Sequence, residues 1–260
     1  MLLAIDVGNT NIVLGGFDEA NQILFRERLS TNQSATALEY ISGIRMALEM
    51  HDMDKHCIHD AIISSVVPSV TAILKEAVRK FTGKEALIVG AGMKTGLNII
   101  IDNPAQLGSD LVVDAVAGTE EYPVPQIIID MGTATTLSVI NSKKQYIGGV
   151  IMTGMAVSIN ALVNKTSQLP KISFDAPKKV IGSNTIDCMK SGIMYATASA
   201  LDGMIDRIEE ELGEKCTVIA TGGLSGTVIP LCKKEILLDD DLLLKGLSLI
   251  YQRNKSKDGE

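Results

Sequence analysis

The chain predicts an α/β protein of two similar halves, each a mixed sheet flanked by helices. Two observations carry this. A strand, an Asp-x-Gly turn and a second strand occur twice: Leu2-Leu3-Ala4-Ile5-Asp6-Val7-Gly8-Asn9-Thr10, and Ile127-Ile128-Ile129-Asp130-Met131-Gly132-Thr133-Ala134-Thr135-Thr136. After each copy the pattern runs through a further strand and then alternates helical spacing with short buried strands, as in a sheet covered by helices. A hydrophobic content of 46% over 260 residues allows full cores without staples.

Taken in order, strands are expected over 2–6, 11–17 and 22–30, joined by turns at Gly8-Asn9 and at residues 18–21, an antiparallel meander. Residues 35–50 have helical spacing through Leu38, Ile41, Ile44 and Leu48. A buried strand over 61–67 leads to Pro68, which opens a helix reaching Phe81 and ended by Gly83. A strand follows at 85–89, giving βββ-α-β-α-β. A helix over 104–121 is punctuated by Tyr122-Pro123-Val124-Pro125 and joins the halves, dividing the chain into 1–115 and 116–260. The second half restarts with strands at 127–130, 135–140 and 145–151 and a helix at 155–165. A loop over 168–183, a long helix over 185–212 and a strand at 217–221 come next. A helix at 227–233, a strand at 236–238 and a helix at 239–251 complete the pattern, with a frayed polar tail at 252–260.

Composition excludes some functions. Net charge is −7 and the pI about 5.1, which argues against nucleic-acid and anionic-membrane partners. Aromatics are 3% with no Trp, leaving few stacking platforms for single strands. Cys57, Cys188, Cys216 and Cys232 form no CxxC pair, and Met1 leads directly into strand residues. Reduced thiols, no secretory signal and a cytoplasmic location are expected. No apolar run approaches the roughly 18 residues of a membrane span.

The doubled turn is the main functional signal. Glycine lets the main chain approach a ligand, and amides and hydroxyls in such a turn cradle phosphate. Asp6 and Asp130 can each hold a metal ion or its water shell. Two such hairpins facing one another suit a nucleoside triphosphate bound with a divalent ion. Thr221-Gly222-Gly223-Leu224, after a strand and before a helix, suits an adenosine support or an ordinary βα turn. Gly148-Gly149 through Gly154 suits either a ligand approach or a simple strand-to-helix turn. In Gly108-Ser109-Asp110 the carboxylate could cap a helix, or take the proton from a hydroxyl during phosphoryl transfer. Asp114 reads as solvated or polar packing. Gly90 to Gly96 fits no Walker A spacing, and His51, His56 and His59 fit no compact metal motif.

These motifs resemble the type III pantothenate kinases over nearly the whole chain. The match runs through Asp6-Val7-Gly8-Asn9-Thr10-Asn11, Leu97-Asn98, Asp102-Asn103-Pro104, Gly108-Ser109-Asp110, Asp130 to Thr136, Gly148-Gly149, Asn184-Thr185, Ser191-Gly192 and Thr221 to Leu224. The resemblance implies two actin-like (ribonuclease-H-like) lobes, each a mixed five-stranded sheet flanked by helices, with ATP in the interlobe cleft. It also implies a homodimer that phosphorylates pantothenate with ATP and Mg²⁺, aided by a monovalent cation, K⁺ or NH4⁺, in the first step of coenzyme A biosynthesis.

By the same resemblance, Asp6, Val7, Gly8, Asn9, Thr10, Asn11, Ile12 and Val13 embrace the ATP phosphates, with Asp6 near Mg²⁺. Gly132, Thr133, Gly222 and Gly223 also contact ATP, and Asp130 holds the monovalent cation. Asp110 is the general base, and Ile101, Gly108, Ser109, Asp110, Leu111 and Thr185 contact pantothenate. Three positions depart from the family pattern: Leu111 replaces an arginine, Ile101 a tyrosine and Ser138 an aspartate. Leucine cannot grip a carboxylate in two-pronged fashion. That loss costs roughly 1.5–3 kcal/mol unless compensated, about tenfold to a hundredfold in binding. A less acidic small alcohol as acceptor and a non-catalytic nucleotide-binding regulator are therefore carried as alternatives. A filament or chaperone of the same fold has little room for its extra subdomains in 260 residues.

Overall fold

The computed structural model describes residues 1–255 and contains two compact units. The first comprises Met1–Leu97, Asn103–Ala117 and the C-terminal helix from Leu242; the second comprises Asn98–Asp102 and Gly118–Asp241.

The first unit is a five-stranded sheet in the order β3-β2-β1-β4-β5. Its strands are β1 (Leu2–Val7), β2 (Asn11–Phe17), β3 (Ile23–Ser30), β4 (Asp60–Ser65) and β5 (Ala86–Ile88). β1 is antiparallel to β2 and parallel to β4. Alternation along β1 sends Leu3, Ile5 and Val7 to one face, where Ile44 and Leu48 of α1 (Ala37–Glu49) and Val70, Leu74 and Ala77 of α2 (Pro68–Thr82) cover them. Leu2 and Ala4 point to the other face, packed with Val113 and Val116 of α3 (Ser109–Glu121) and Leu244, Leu247 and Ile250 of α7 (Leu242–Asn254). α1 begins in a capping box between Thr36 and Glu39. α2 has Pro68 in its first turn and stops at Gly83, whose φ of 75° suits glycine.

The second unit carries a sheet in the order β11-β10-β7-β8-β9-β6. Its strands are β6 (Asn98–Ile99), β7 (Gln126–Met131), β8 (Ala134–Ile140), β9 (Gln145–Thr153), β10 (Thr217–Thr221) and β11 (Leu237–Leu238). Ile127, Ile129, Leu137 and Val139 meet Met194, Ala198, Leu201 and Ile205 of α5 (Thr185–Leu212). α4 (Met155–Lys165) and the short α6 (Ser225–Val228) complete the unit.

The structure departs from the sequence expectation in several places. The second sheet has six strands rather than five, because the two-residue β6 joins the edge of β9. The helix expected from 104 is broken: Pro104–Gln106 is a separate 3-10 turn, capped by Asn103 Oδ1 accepting from Ala105 N, and α3 starts at Ser109. The last helix continues to Asn254 through residues expected to fray; the rest of that tail, 256–260, lies outside the described residues. Its apolar side belongs to the first unit's core, a return that local sequence does not reveal.

Candidate active site

In the first unit Asp6 is the next-to-last residue of β1 and is 7% exposed. It continues the Leu2–Ala4 face. Gly8 N donates to Asn11 O at 3.0 Å, closing the turn. A Cβ at Gly8 would lie 3.2 Å from that oxygen, so the tight turn favours glycine. Thr31 pins the turn from behind, its N donating to Thr10 O and its Oγ1 to Gly8 O at 2.7 Å. Asn9, Thr10 and Asn11 are left exposed, while Val7 and Ile12 anchor the strand ends in the core.

Asp110 occupies the first turn of α3, where the positive end of the helix dipole favours a carboxylate. Its Oδ1 accepts from Leu111 N at 2.9 Å. A Cβ at Gly108 would come within 2.4 Å of the same oxygen. Gly108 therefore leaves room for the carboxylate. Burial pushes the Asp110 carboxyl above the ordinary value, partly offset by the main-chain amides of Leu111 and of Asp110 itself. Ser109 Oγ donates to Ser65 O and meets Ser64 Oγ, both at 3.1 Å, so the start of α3 is tied to the end of β4. Ser64 is also the strand neighbour of Asp6. Asp114 is buried, resolving the choice left by sequence in favour of polar packing.

In the second unit Asp130 stands one residue before the end of β7, paired with Thr136 on β8 and Thr221 on β10. Gly132 N donates to Ala134 O at 3.0 Å, and Gly132 and Thr133 are exposed. Gly222 has φ +94°, and a Cβ there would lie 2.6 Å from both Asp130 Oδ1 and Met131 N. Gly222 must be glycine for two independent reasons, and Gly223 beside it is exposed. The buried Thr136 Oγ1 has no hydrogen-bond partner among the described residues. Asp130 and Thr136 place a carboxylate and a hydroxyl, both hard oxygen donors, at paired positions on neighbouring strands.

The Gly148–Gly154 stretch serves the backbone. A Cβ at Gly149 would meet Leu137 O at 2.3 Å, and one at Gly154 would meet Thr133 O at 2.3 Å, so these glycines let β9 and α4 approach β8 and the Asp130 turn. Ser138 is buried and hydrogen-bonded to Tyr146 Oη at 3.1 Å. Of the other expected acceptor contacts, Ile101 and Thr185 lie in the second unit and Leu111 in the first. Thr185 is exposed at the start of α5, beyond the Asn184 cap that accepts from Asp187 N. His51 contacts Glu27 and stacks on Phe25, and among the described residues no group of three or more His, Cys, Asp or Glu could hold a metal. Ser64 carries no motif in the sequence, and Thr136 enters there only as part of the Asp130 turn; what singles both out is their cross-strand register with an aspartate.

Two mixed sheets, each with an Asp-x-Gly hairpin and flanking helices, give the chain an actin-like fold. A solved structure of the activator of 2-hydroxyisocaproyl-CoA dehydratase from Clostridium difficile, with bound ADPNP, has a TM-score of 0.57 at 13% identity, over 96% of this chain and 93% of that one. The chain belongs to the type III pantothenate kinase family, whose model matches residues 2–207. It is 42% identical over 254 residues to the type III pantothenate kinase of Halalkalibacterium halodurans, covering 98% of this chain and all of that one. Identity to the Moorella thermoacetica enzyme of the same name is 40%, with the same coverage.

Proposed function

We propose that this protein transfers the γ-phosphoryl group of ATP to the primary hydroxyl of pantothenate, giving 4'-phosphopantothenate, the first step of coenzyme A biosynthesis. The observation that carries it is Asp110: a carboxylate seated against Gly108, with raised proton affinity, at the family's base motif. Ionised Asp110 accepts the hydroxyl proton as that oxygen bonds to the γ-phosphorus and the bond to the β-phosphate oxygen breaks, releasing ADP. In the first unit the turn from Asp6 to Val13 is the phosphate-binding element; in the second, Gly132 and Thr133 are phosphate contacts and Gly222 and Gly223 adenosine contacts. The chemistry is mostly positioning and charge stabilisation.

Asp6, a buried hard carboxylate beside the phosphate turn, fits Mg²⁺, which is usually held by one or two carboxylates together with substrate phosphates. Mg²⁺ supplies neutralisation of the triphosphate when bound. Asp130 and Thr136 suit the monovalent cation, K⁺ or NH4⁺. Ile101, Ser109, Leu111 and Thr185 line the acceptor contacts, with leucine and isoleucine making them apolar. The reading extends to a cytoplasmic homodimer. Apolar exposure at Val157, Leu162 and Ile186 supports the dimer, as four free cysteines support a reducing compartment. Among the described residues no helix is long and apolar enough to cross a membrane.

The test is a coupled ATP-consumption assay with pantothenate, with and without K⁺ or NH4⁺. Turnover that requires pantothenate and rises with the cation is expected. ATP binding without turnover would instead make the chain a nucleotide-binding regulator, and turnover only on another small alcohol would reassign the acceptor. Light scattering checks the dimer.

A further inference from the structure

We infer that Ser64 is a positioning residue for phosphoryl transfer, acting through Ser109 to hold the start of α3 against the strand that carries Asp6. The inference rests on the reading of Asp110 as base and names what places that base.

Ser64 is fully buried on β4, on the sheet face shared with Asp6, and is Asp6's partner in the parallel β1–β4 register. Its Oγ is 3.1 Å from Ser109 Oγ. A serine hydroxyl has one proton. Ser109 gives its proton to Ser65 O, so at the Ser64–Ser109 contact Ser109 must accept and Ser64 must donate. The result is a directed relay of hydrogen bonds: Ser64 to Ser109, and Ser109 to the Ser65 carbonyl. It fixes the first residue of α3 at two points on one strand end. Asp110 is the next residue. Its carboxylate accepts from Leu111 N, and Gly108 leaves the space it occupies. Neither Gly108 nor Leu111 ties the helix to the sheet by a side-chain hydrogen bond. Ser64 and Ser109 do, and the strand they use neighbours the one bearing the proposed Mg²⁺ carboxylate. The base and the phosphate turn therefore share one rigid reference. A displacement of about 1 Å at such a base is expensive in rate, because transfer depends on near-attack geometry.

The test compares Ser64→Ala, Ser109→Ala and the double variant in the pantothenate assay at saturating cation. Ser64→Ala is expected to lower kcat about tenfold, with the KM for ATP within about twofold of the parent, since a positioning hydrogen bond is worth about one decade. In the Ser109→Ala background the same substitution should lower kcat no further, as expected when two residues act as one unit. Ser64→Cys keeps the side-chain volume while donating only weakly, so it should fall between parent and alanine. It also serves where the alanine variant fails to fold. Equal losses in both backgrounds, an unchanged kcat, or a loss confined to the KM for ATP overturns the inference. Failure of the base assignment reads differently. Asp110→Asn would then keep its turnover, whereas failure of the Ser64 inference leaves the Asp110→Asn loss intact and shows additive serine effects.

Discussion

The two Asp-x-Gly hairpins are alike in strand order but not in what surrounds the carboxylate. In the first, Val7 pairs with Ile12, leaving four residues in the turn; in the second, Met131 pairs with Thr135, leaving three. Asp6 faces apolar Val13 across its hairpin, whereas Asp130 faces Thr136, whose hydroxyl is buried and unsatisfied. Each aspartate has a hydroxyl residue on its parallel neighbour, Ser64 or Thr221, but the chain beyond differs. β4 runs into Ser65 and then Pro68 of α2, and its end is taken up by bonds to Ser109. β10 runs into Gly222, whose main chain packs so closely on Asp130 and Met131 that a Cβ would have no room. The two turns thus share a strand pattern and differ in their supports: the first is tied to the start of α3, while the second packs against the glycine that ends β10.

The largest effect that could break this division is at Asp110. Asp110→Asn should lower kcat by about 10²–10⁴-fold, the usual contribution of a general base, with ATP affinity by titration calorimetry nearly unchanged. Lost ATP binding would show that the base helix is not separable from the nucleotide turn.

Next is the close contact at Gly222. Gly222→Ala places a methyl group 2.6 Å from Asp130 Oδ1 at a φ that L residues avoid, at a cost of about 1–3 kcal/mol. ATP affinity should fall about tenfold to a hundredfold. Gly226→Ala, with nothing within 4 Å of the new Cβ, is the control and should bind normally. Equal behaviour of the two variants would remove the contrast between the turns.

The cation assignment sharpens it further. Thr136→Val should raise the K⁺ concentration for half-activation about tenfold, on the scale of one lost oxygen contact. The same variant should melt no lower in K⁺-free buffer, because it removes a buried hydroxyl without a hydrogen-bond partner. Unchanged activation by K⁺ would move the cation elsewhere.

The smallest effect is on pH dependence. Burial raises the Asp110 pKa, and the base must be ionised, so the acidic limb of kcat/KM should lie above the ordinary carboxylate range. The sign for stability follows. The folded chain holds this proton more tightly than the unfolded chain, so the contribution is present below the unfolded pKa and is lost as pH rises through the raised value. Asp110→Asn should therefore melt slightly higher than the parent at neutral pH. A limb at the ordinary position would mean that the carboxylate is well solvated.

Legibility followed the range of the signal. The Asp-x-Gly turns, the Pro68 start, the Gly83 stop and the long helix from Thr185 to Leu212 are local patterns, and the structure has them where the sequence puts them. β6 is two residues with a polar member, too short for period-2 alternation, and exists only because β9 offers an edge. Asp110 stood out through its motif. Ser64 did not, since it falls inside the strand expected over 61–67 and only register sets it beside Asp6. The same holds for Gly154, whose need for glycine comes from the Thr133 carbonyl, 21 positions upstream in the numbering.

The helix α7 brings a long closure into the first unit. Tyr251 Oη bonds Asp60 across 191 residues of sequence, and Ser248 bonds Asn21 across 227. During synthesis, the β1 sheet emerges long before the helix that covers its second face, and the entire other unit is made in between. Until α7 arrives, the only helix that the face of Leu2 and Ala4 has to pack against is α3, through Val113 and Val116, so this core is completed late. A chain stopped after β11 would keep the second unit whole and leave the turn after Asp6 on a half-roofed sheet.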